Sequence, residues 1–282
     1  MTRWPEFWKV FKEKKLGVIG VIILICFIAV ALFAPLIAPY NPSVRVSTPF
    51  LTPSSQHLLG TNDIGNDILS ELIYGTRISL LIGVIAAFIS ISIGLLVGLV
   101  AGYYGGLTDA LLMRIVDLIL VIPFLPLMIV LSAYLGPSFW NIIIVIGILS
   151  WVRPARVIRS QVLTLKTKTF VESARSLGAT NSRLLFTHIM PGVIPLALAQ
   201  FVLASSYAIL VEASLSFLGL GDPFQKSWGT ILYYAQARGA FLTSAWVWWI
   251  LPPGLLTTIL VLGFTFTGYS LEEILNPRLR GR

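Results

Sequence analysis

The chain has 282 residues, of which 56% are hydrophobic and 11% charged, with a formal net charge of +8. Soluble domains carry roughly 25% charged residues, so this composition and a mean hydropathy of +0.88 exclude a soluble globular protein. The surplus of Lys and Arg is explained below by membrane topology, which removes the case for nucleic-acid binding.

Residues 1–16 set Trp4, Phe7, Trp8, Val10 and Phe11 among lysines, the pattern of an amphipathic segment lying on the inner membrane surface. Residues 17–39 form an uncharged run long enough for the roughly 20 residues that cross a bilayer. It outruns the roughly 7–15 residue core of a signal peptide and reads as an uncleaved first span. Cys26 lies in that run and is the single cysteine, so no intrachain disulfide can form. Pro42, Pro49 and Pro53 then keep the chain extended in an outer loop.

Residues 57–80, HLLGTNDIGNDILSELIYGTRISL, lead into the second span, 78–104. Gly60 and Gly65 read as turn positions. His57 with Asp63 and Asp67 invites a metal-site reading, but further ligands are missing, so a structural segment is preferred. Gly83, Gly94, Gly98 and Gly102 give the second span small contact positions, as expected of a helix packed inside a bundle.

A third span is expected over 110–135 and a fourth over 137–158, kinked near Pro154. Arg114 and Asp117 are spaced to pair on one helix face. The other reading of Asp117 is a role in a transport path, because intramembrane charge is costly and usually functional.

Residues 159–191 form a long, basic, polar loop. Thr169-x-x-Glu172 reads locally as a capping box that starts a short helix, which Gly178 ends in a left-handed turn. Thr180 or Asn181 can cap a second helix with Leu184, Leu185 and Ile189 on one side. Pro191 then sits where a new apolar helix begins, giving a fifth span over 192–220. Glu212 lies within that span, in Glu-Ala-Ser-Leu-Ser-Phe-Leu-Gly-Leu-Gly, and must be paired, protonated or facing an aqueous path. Trp246, Trp248 and Trp249 read as an outer aromatic belt for the last span, 246–271.

With the N-terminus inside, 16 of the 20 Lys and Arg fall on inner segments; only Arg45, Arg77, Lys226 and Arg238 fall outside. That bias is the positive-inside rule, and it puts both termini and the 159–191 loop in the cytoplasm.

Three of these stretches resemble one family. Glu172-Ser173-Ala174, followed by Gly178 and Pro191, resembles the E-A-A…G…I-x-L-P loop of ABC importer permeases, departing at Ser173, His188 and Met190. The ending His188-Ile-Met-Pro191 is similar to a variant found in dipeptide, oligopeptide and nickel permeases. Residues 57–80 resemble the segment before the second span in those permeases; His57, Gly60, Thr61, Gly65 and Asp67 match. Asn62, Asn66 and Glu71 replace Asp, Arg and Arg there, so charge pairing must differ. The ten residues from Glu212 to Gly221 match their family segment throughout.

The resemblance implies an all-α polytopic membrane protein with six transmembrane helices and the type I ABC importer permease fold. The 159–191 loop would couple to an ATPase, with Asp117 and Glu212 the candidate path residues. It implies a cargo of di- or oligopeptides, with nickel the alternative. Its partners would be a second homologous permease in a heterodimer, two ABC ATPase subunits and an extracellular solute-binding protein, all at the cytoplasmic membrane. The chain has no G-x-x-x-x-G-K-[S/T] loop, so no catalytic site, cofactor or metal is expected on it; ATP and Mg would sit on the ATPase subunits. A proton-coupled carrier is the rival class, but no repeat relates the two halves.

Overall fold

The computed structural model describes residues 10–275. The expected N-terminal surface segment and the basic C-terminal residues Arg278, Arg280 and Arg282 lie largely outside them. Among the described residues there is no strand, only an isolated bridge between Thr61 and Asp67.

Five helices are long and apolar enough to cross a membrane: Lys15–Leu32, Ile68–Tyr104, Phe139–Leu165, Asn181–Leu220 and Trp246–Ile274. A sixth crossing is broken, with Gly106–Val121 and Phe124–Leu135 meeting at 85°. In chain order these are spans one to six, the broken pair being the third.

The second span is the centre of the bundle, packed on the fourth and fifth; the sixth packs on the fifth, and the first on the sixth. Its small residues permit that position. A Cβ on Gly98 would lie 2.7 Å from the Ala155 carbonyl oxygen, and one on Gly102 would lie 2.7 Å from Val162 Cβ. The fourth span therefore approaches the second backbone to backbone along this strip.

Several boundaries differ from the sequence expectation. The second span starts at Ile68, ten residues before the apolar run, because Asp67 caps it: its carboxylate accepts the Ser70 N–H at 2.8 Å. The expected single helix over 110–135 is broken by Pro123. Proline drives the residue before it out of the α region, and Ile122 is extended at φ −74°, ψ 133°. Nor does a new helix begin at Pro191. The helix runs on from Asn181 through a π-helical turn, Leu184–Ile189, with Ile189 itself helical. The wider turn accommodates a proline that lacks an N–H and crowds the preceding turn.

The aromatic belt is only partly as expected. Trp246 is exposed, but Trp249 is 1% exposed in a core that also holds Phe27, Trp228 and Leu260. Its ring meets Phe50, in the loop between the first and second spans, edge-on at 5.9 Å. The loop folds down as a lid on that end of the bundle.

Candidate functional site

At the end of the bundle opposite that lid, the fourth span ends at Leu165 and the chain forms a short helix, Thr169–Ser176. The helix is anchored by one face. Val171 is fully buried with Leu184, Leu185 and Ile189, against Tyr103, Ile158 and Val162 of the second and fourth spans. Two hydrogen bonds brace this end: Tyr103 donates to Asn181 Oδ1 at 2.7 Å, and Lys166 Nζ to the Gly102 carbonyl at 2.9 Å.

The other face is bare. Phe170, Glu172, Ser173, Arg175 and Leu177 are all exposed, Leu177 by 89%. Ala174 is half-buried beneath them.

The expected capping box does not form. Lys168 is the cap residue, extended at φ −80°, ψ 143°, so Thr169 already belongs to the first turn and no side chain caps it. The Glu172 side chain is thereby released: among the described residues it makes no hydrogen bond or ion pair.

The exit from the helix is as expected. Gly178 has φ +83°; its N–H bonds the Arg175 carbonyl at 3.0 Å, and the Ala179 N–H bonds the Ala174 carbonyl at 3.1 Å. These are the two bonds of a Schellman ending. Thr180 caps the next turn by accepting from the Arg183 N–H at 3.4 Å. His188, on the π turn beyond, is half-buried, and Pro191, just after that turn, is exposed.

The second motif lies at the lid end. Gly60 and Gly65 take φ +68° and +88°, and a Cβ on either would stand 2.2 Å from a loop carbonyl oxygen. His57 Nδ1 lies 3.0 Å from Asp67 Oδ1, and Leu51 donates its N–H to Thr61 Oγ1 at 3.0 Å. Asn62 donates to Glu71 Oε1 at 2.9 Å, and Lys226 reaches the same oxygen at 2.6 Å. The three residues that depart from the family pattern thus form their own network, with Asn66 donating its N–H to Asn62 Oδ1. No cluster of three or more metal-binding side chains occurs among the described residues. The segment ties the loop between the first and second spans to the start of the second span.

Comparison with known proteins agrees with this layout. Residues 94–281 match the family of binding-protein-dependent transport system inner membrane components. Residues 2–66 match the N-terminal TM domain of oligopeptide transport permease C. The glutathione transport system permease protein GsiD of Escherichia coli is 39% identical over 283 residues, covering 99% of this chain and 92% of that protein. Its counterpart in Shigella boydii serotype 4 gives the same figures. The dipeptide transport system permease protein DppC of Alkalihalophilus pseudofirmus is 38% identical over 286 residues, covering 99% and 91%.

The chain belongs to the binding-protein-dependent permeases.

It is therefore a multi-pass inner-membrane permease subunit of an ABC importer of the peptide type. Its two candidate path acids are placed differently from one another. Asp117 does not pair with Arg114, as the three-residue spacing suggested, but with Arg156 of the fourth span. Glu212 is 1% exposed and accepts from Ser216 Oγ at 2.7 Å and Ser227 Oγ at 2.5 Å. Ser227 also caps the helix Trp228–Ala237, so Glu212 clasps that helix to the fifth span. In this conformation its carboxylate is enclosed and opens on no path. The sequence pointed to Glu212 but could not give Ser227 as its partner, which comes from the next loop.

Proposed function

We propose that this permease subunit imports short peptides, di- or oligopeptides, handed to it by an extracellular solute-binding protein. The path is shared with a second, homologous permease in a heterodimer. Two ATPase subunits, carrying ATP and Mg, dock from the cytoplasm on the 159–191 loop; nothing catalytic or metal-binding is assigned to this chain. Both termini are cytoplasmic, and the transmembrane domain extends from residue 17 to the C-terminus.

The loop is assigned the coupling role residue by residue. Val171 and the Leu184–Ile189 turn seat it on the bundle, so a push on the loop moves the second, fourth and fifth spans together. Glu172, Ser173 and the exposed apolar Phe170 and Leu177 form the face offered to the ATPase cleft. Ala174 and Gly178 set the helix end, and His188 and Pro191 carry the motion into the fifth span through the π turn. Closing the two ATPases on ATP would draw the loops together and turn the path outward, and hydrolysis would reverse it.

The observation that carries this reading is the unused Glu172: a motif acid whose side chain has no hydrogen bond or ion pair among the described residues. The names of the relatives, which are glutathione and dipeptide systems, favour peptide cargo over nickel. The test is uptake of labelled di- and tripeptides, and of nickel, into vesicles holding the complete complex. Peptide uptake that needs ATP and the binding protein supports the reading. Nickel uptake without peptide uptake, or peptide uptake driven by a pH gradient alone, contradicts it.

A further inference from the structure

Three arginines, Arg153, Arg156 and Arg159, stand on the fourth span at intervals of three, a spacing that keeps neighbours on one helical strip. Two of them face acids on the third span. Arg159 pairs with Asp109, and Arg156 with Asp117. Continued in the same direction, the row calls for a third acid beyond Asp117 to meet Arg153. None exists: residues 118–135 contain no Asp or Glu. At that level the third span instead breaks at Pro123 and swings away by 85°. The Arg153 side chain is left with no hydrogen bond or ion pair among the described residues, and the residue is exposed.

What it meets is a cavity of about 170 Å³, lined among others by Phe124, Ser150, Arg153, Gln200 and Tyr207. Phe124 starts the swung-out half of the third span; Gln200 and Tyr207 belong to the fifth. The buried hydroxyl of Ser150 has no hydrogen-bond partner either. Arg153 is the fifteenth residue of the 27-residue span Phe139–Leu165. At the helical rise it lies about 21 Å from one end and about 18 Å from the other. Its side chain lines that cavity, and no acid among the described residues pairs with it.

We propose that Arg153, with Gln200 and Tyr207, binds the carboxylate of the cargo part-way along the translocation path. The peptide's terminal carboxylate takes the place of the missing third acid in the row. A guanidinium offers a planar fork of N–H donors that fits a carboxylate through two parallel bonds. The amide of Gln200 and the phenol of Tyr207 add donors from the facing helix. The volume equals about six waters at liquid density, enough for a carboxylate and the residue that bears it. This inference rests on the peptide-import reading above.

The experiment uses the complete complex, with the second permease, both ATPases and the binding protein, in proteoliposomes. The probes are labelled Ala-Ala, Ala-Ala-Ala and glutathione. Arg153→Gln should purify with its partners at wild-type yield while its maximal uptake rate falls about tenfold or more, the scale of one charge-assisted hydrogen bond. Arg153→Lys, which keeps the charge, should recover most of that rate; a purely steric role would not make the two variants differ. Full uptake by Arg153→Gln overturns the proposal and leaves the import reading standing. Loss of the second permease from Arg153→Gln also overturns it, since the arginine then pairs with an acid of that subunit. A wild-type complex that takes up none of the three peptides overturns the import reading, and this inference with it.

Discussion

Lys226 Nζ lies 2.6 Å from Glu71 Oε1, across 155 residues of sequence, and locks the loop before the helix Trp228–Ala237 to the start of the second span. Glu71 is 3% exposed, and Asn62 holds the same oxygen. Removing one partner of a buried ion pair costs about 3–5 kcal/mol; the lysine here is about a quarter exposed, so the lower end applies. Lys226→Met should lower the melting temperature of the purified complex clearly. Lys226→Met with Glu71→Gln should recover most of the loss, because no charge is then left buried alone. Equal losses in the single and double variants would count against the lock.

The Asp117–Arg156 pair is the opposite case. Both side chains are about half exposed, 50% and 49%, and exposed pairs are worth about 0–1 kcal/mol. Asp117→Asn should leave folding and assembly nearly unchanged. If uptake also stays unchanged, Asp117 has no part in the path; a large fall in melting temperature would show that the pair is more enclosed than its exposure indicates.

Topology is tested with single cysteines on a Cys26→Ala background. Thr61 is fully buried and unsuitable, whereas Ser55, Gln225 and Ser182 are exposed. Ser55→Cys and Gln225→Cys should react with an impermeant maleimide in intact cells, and Ser182→Cys only after lysis. The reverse pattern would invert the orientation.

Gly178 and Gly106 form a matched pair. Both have positive φ, +83° and +53°, and a Cβ on either meets nothing within 4 Å. Alanine at each therefore carries the same kind of backbone strain, about 1–2 kcal/mol. Gly106→Ala should transport normally, and Gly178→Ala should transport poorly at a similar membrane level. Equal behaviour of the two would reduce the Gly178 turn to a local helix ending.

Much of this architecture could be read from the residues because it depends on local chemistry. Gly178 ends its helix for conformational reasons that no partner supplies, and the buried side of the loop, Leu184, Leu185 and Ile189, follows from spacing. The break at Ile122–Pro123 was also written in the sequence, but the uncharged run over 118–135 on both sides of it masked it. What could not be read depends on chain segments far apart. The Lys226–Glu71 lock, the Ser227 clasp on Glu212 and the Arg156 partner of Asp117 each need the packing of two or more spans. Thr169 misled for a smaller reason: Lys168, one residue earlier, took the cap conformation, and the side-chain pattern cannot tell the two apart.

The coupling role of the loop is tested most directly at Glu172. The residue is exposed and its side chain makes no hydrogen bond or ion pair among the described residues, so its replacement should change the stability of the chain itself by no more than about 0.5 kcal/mol. The measurement is the amount of ATPase subunit that co-purifies with Glu172→Ala, relative to wild type, at equal permease level and equal melting temperature. A coupling role for Glu172 gives at least a severalfold loss of bound ATPase, or full retention with ATP hydrolysis no longer driving uptake. Full retention together with wild-type uptake would contradict it.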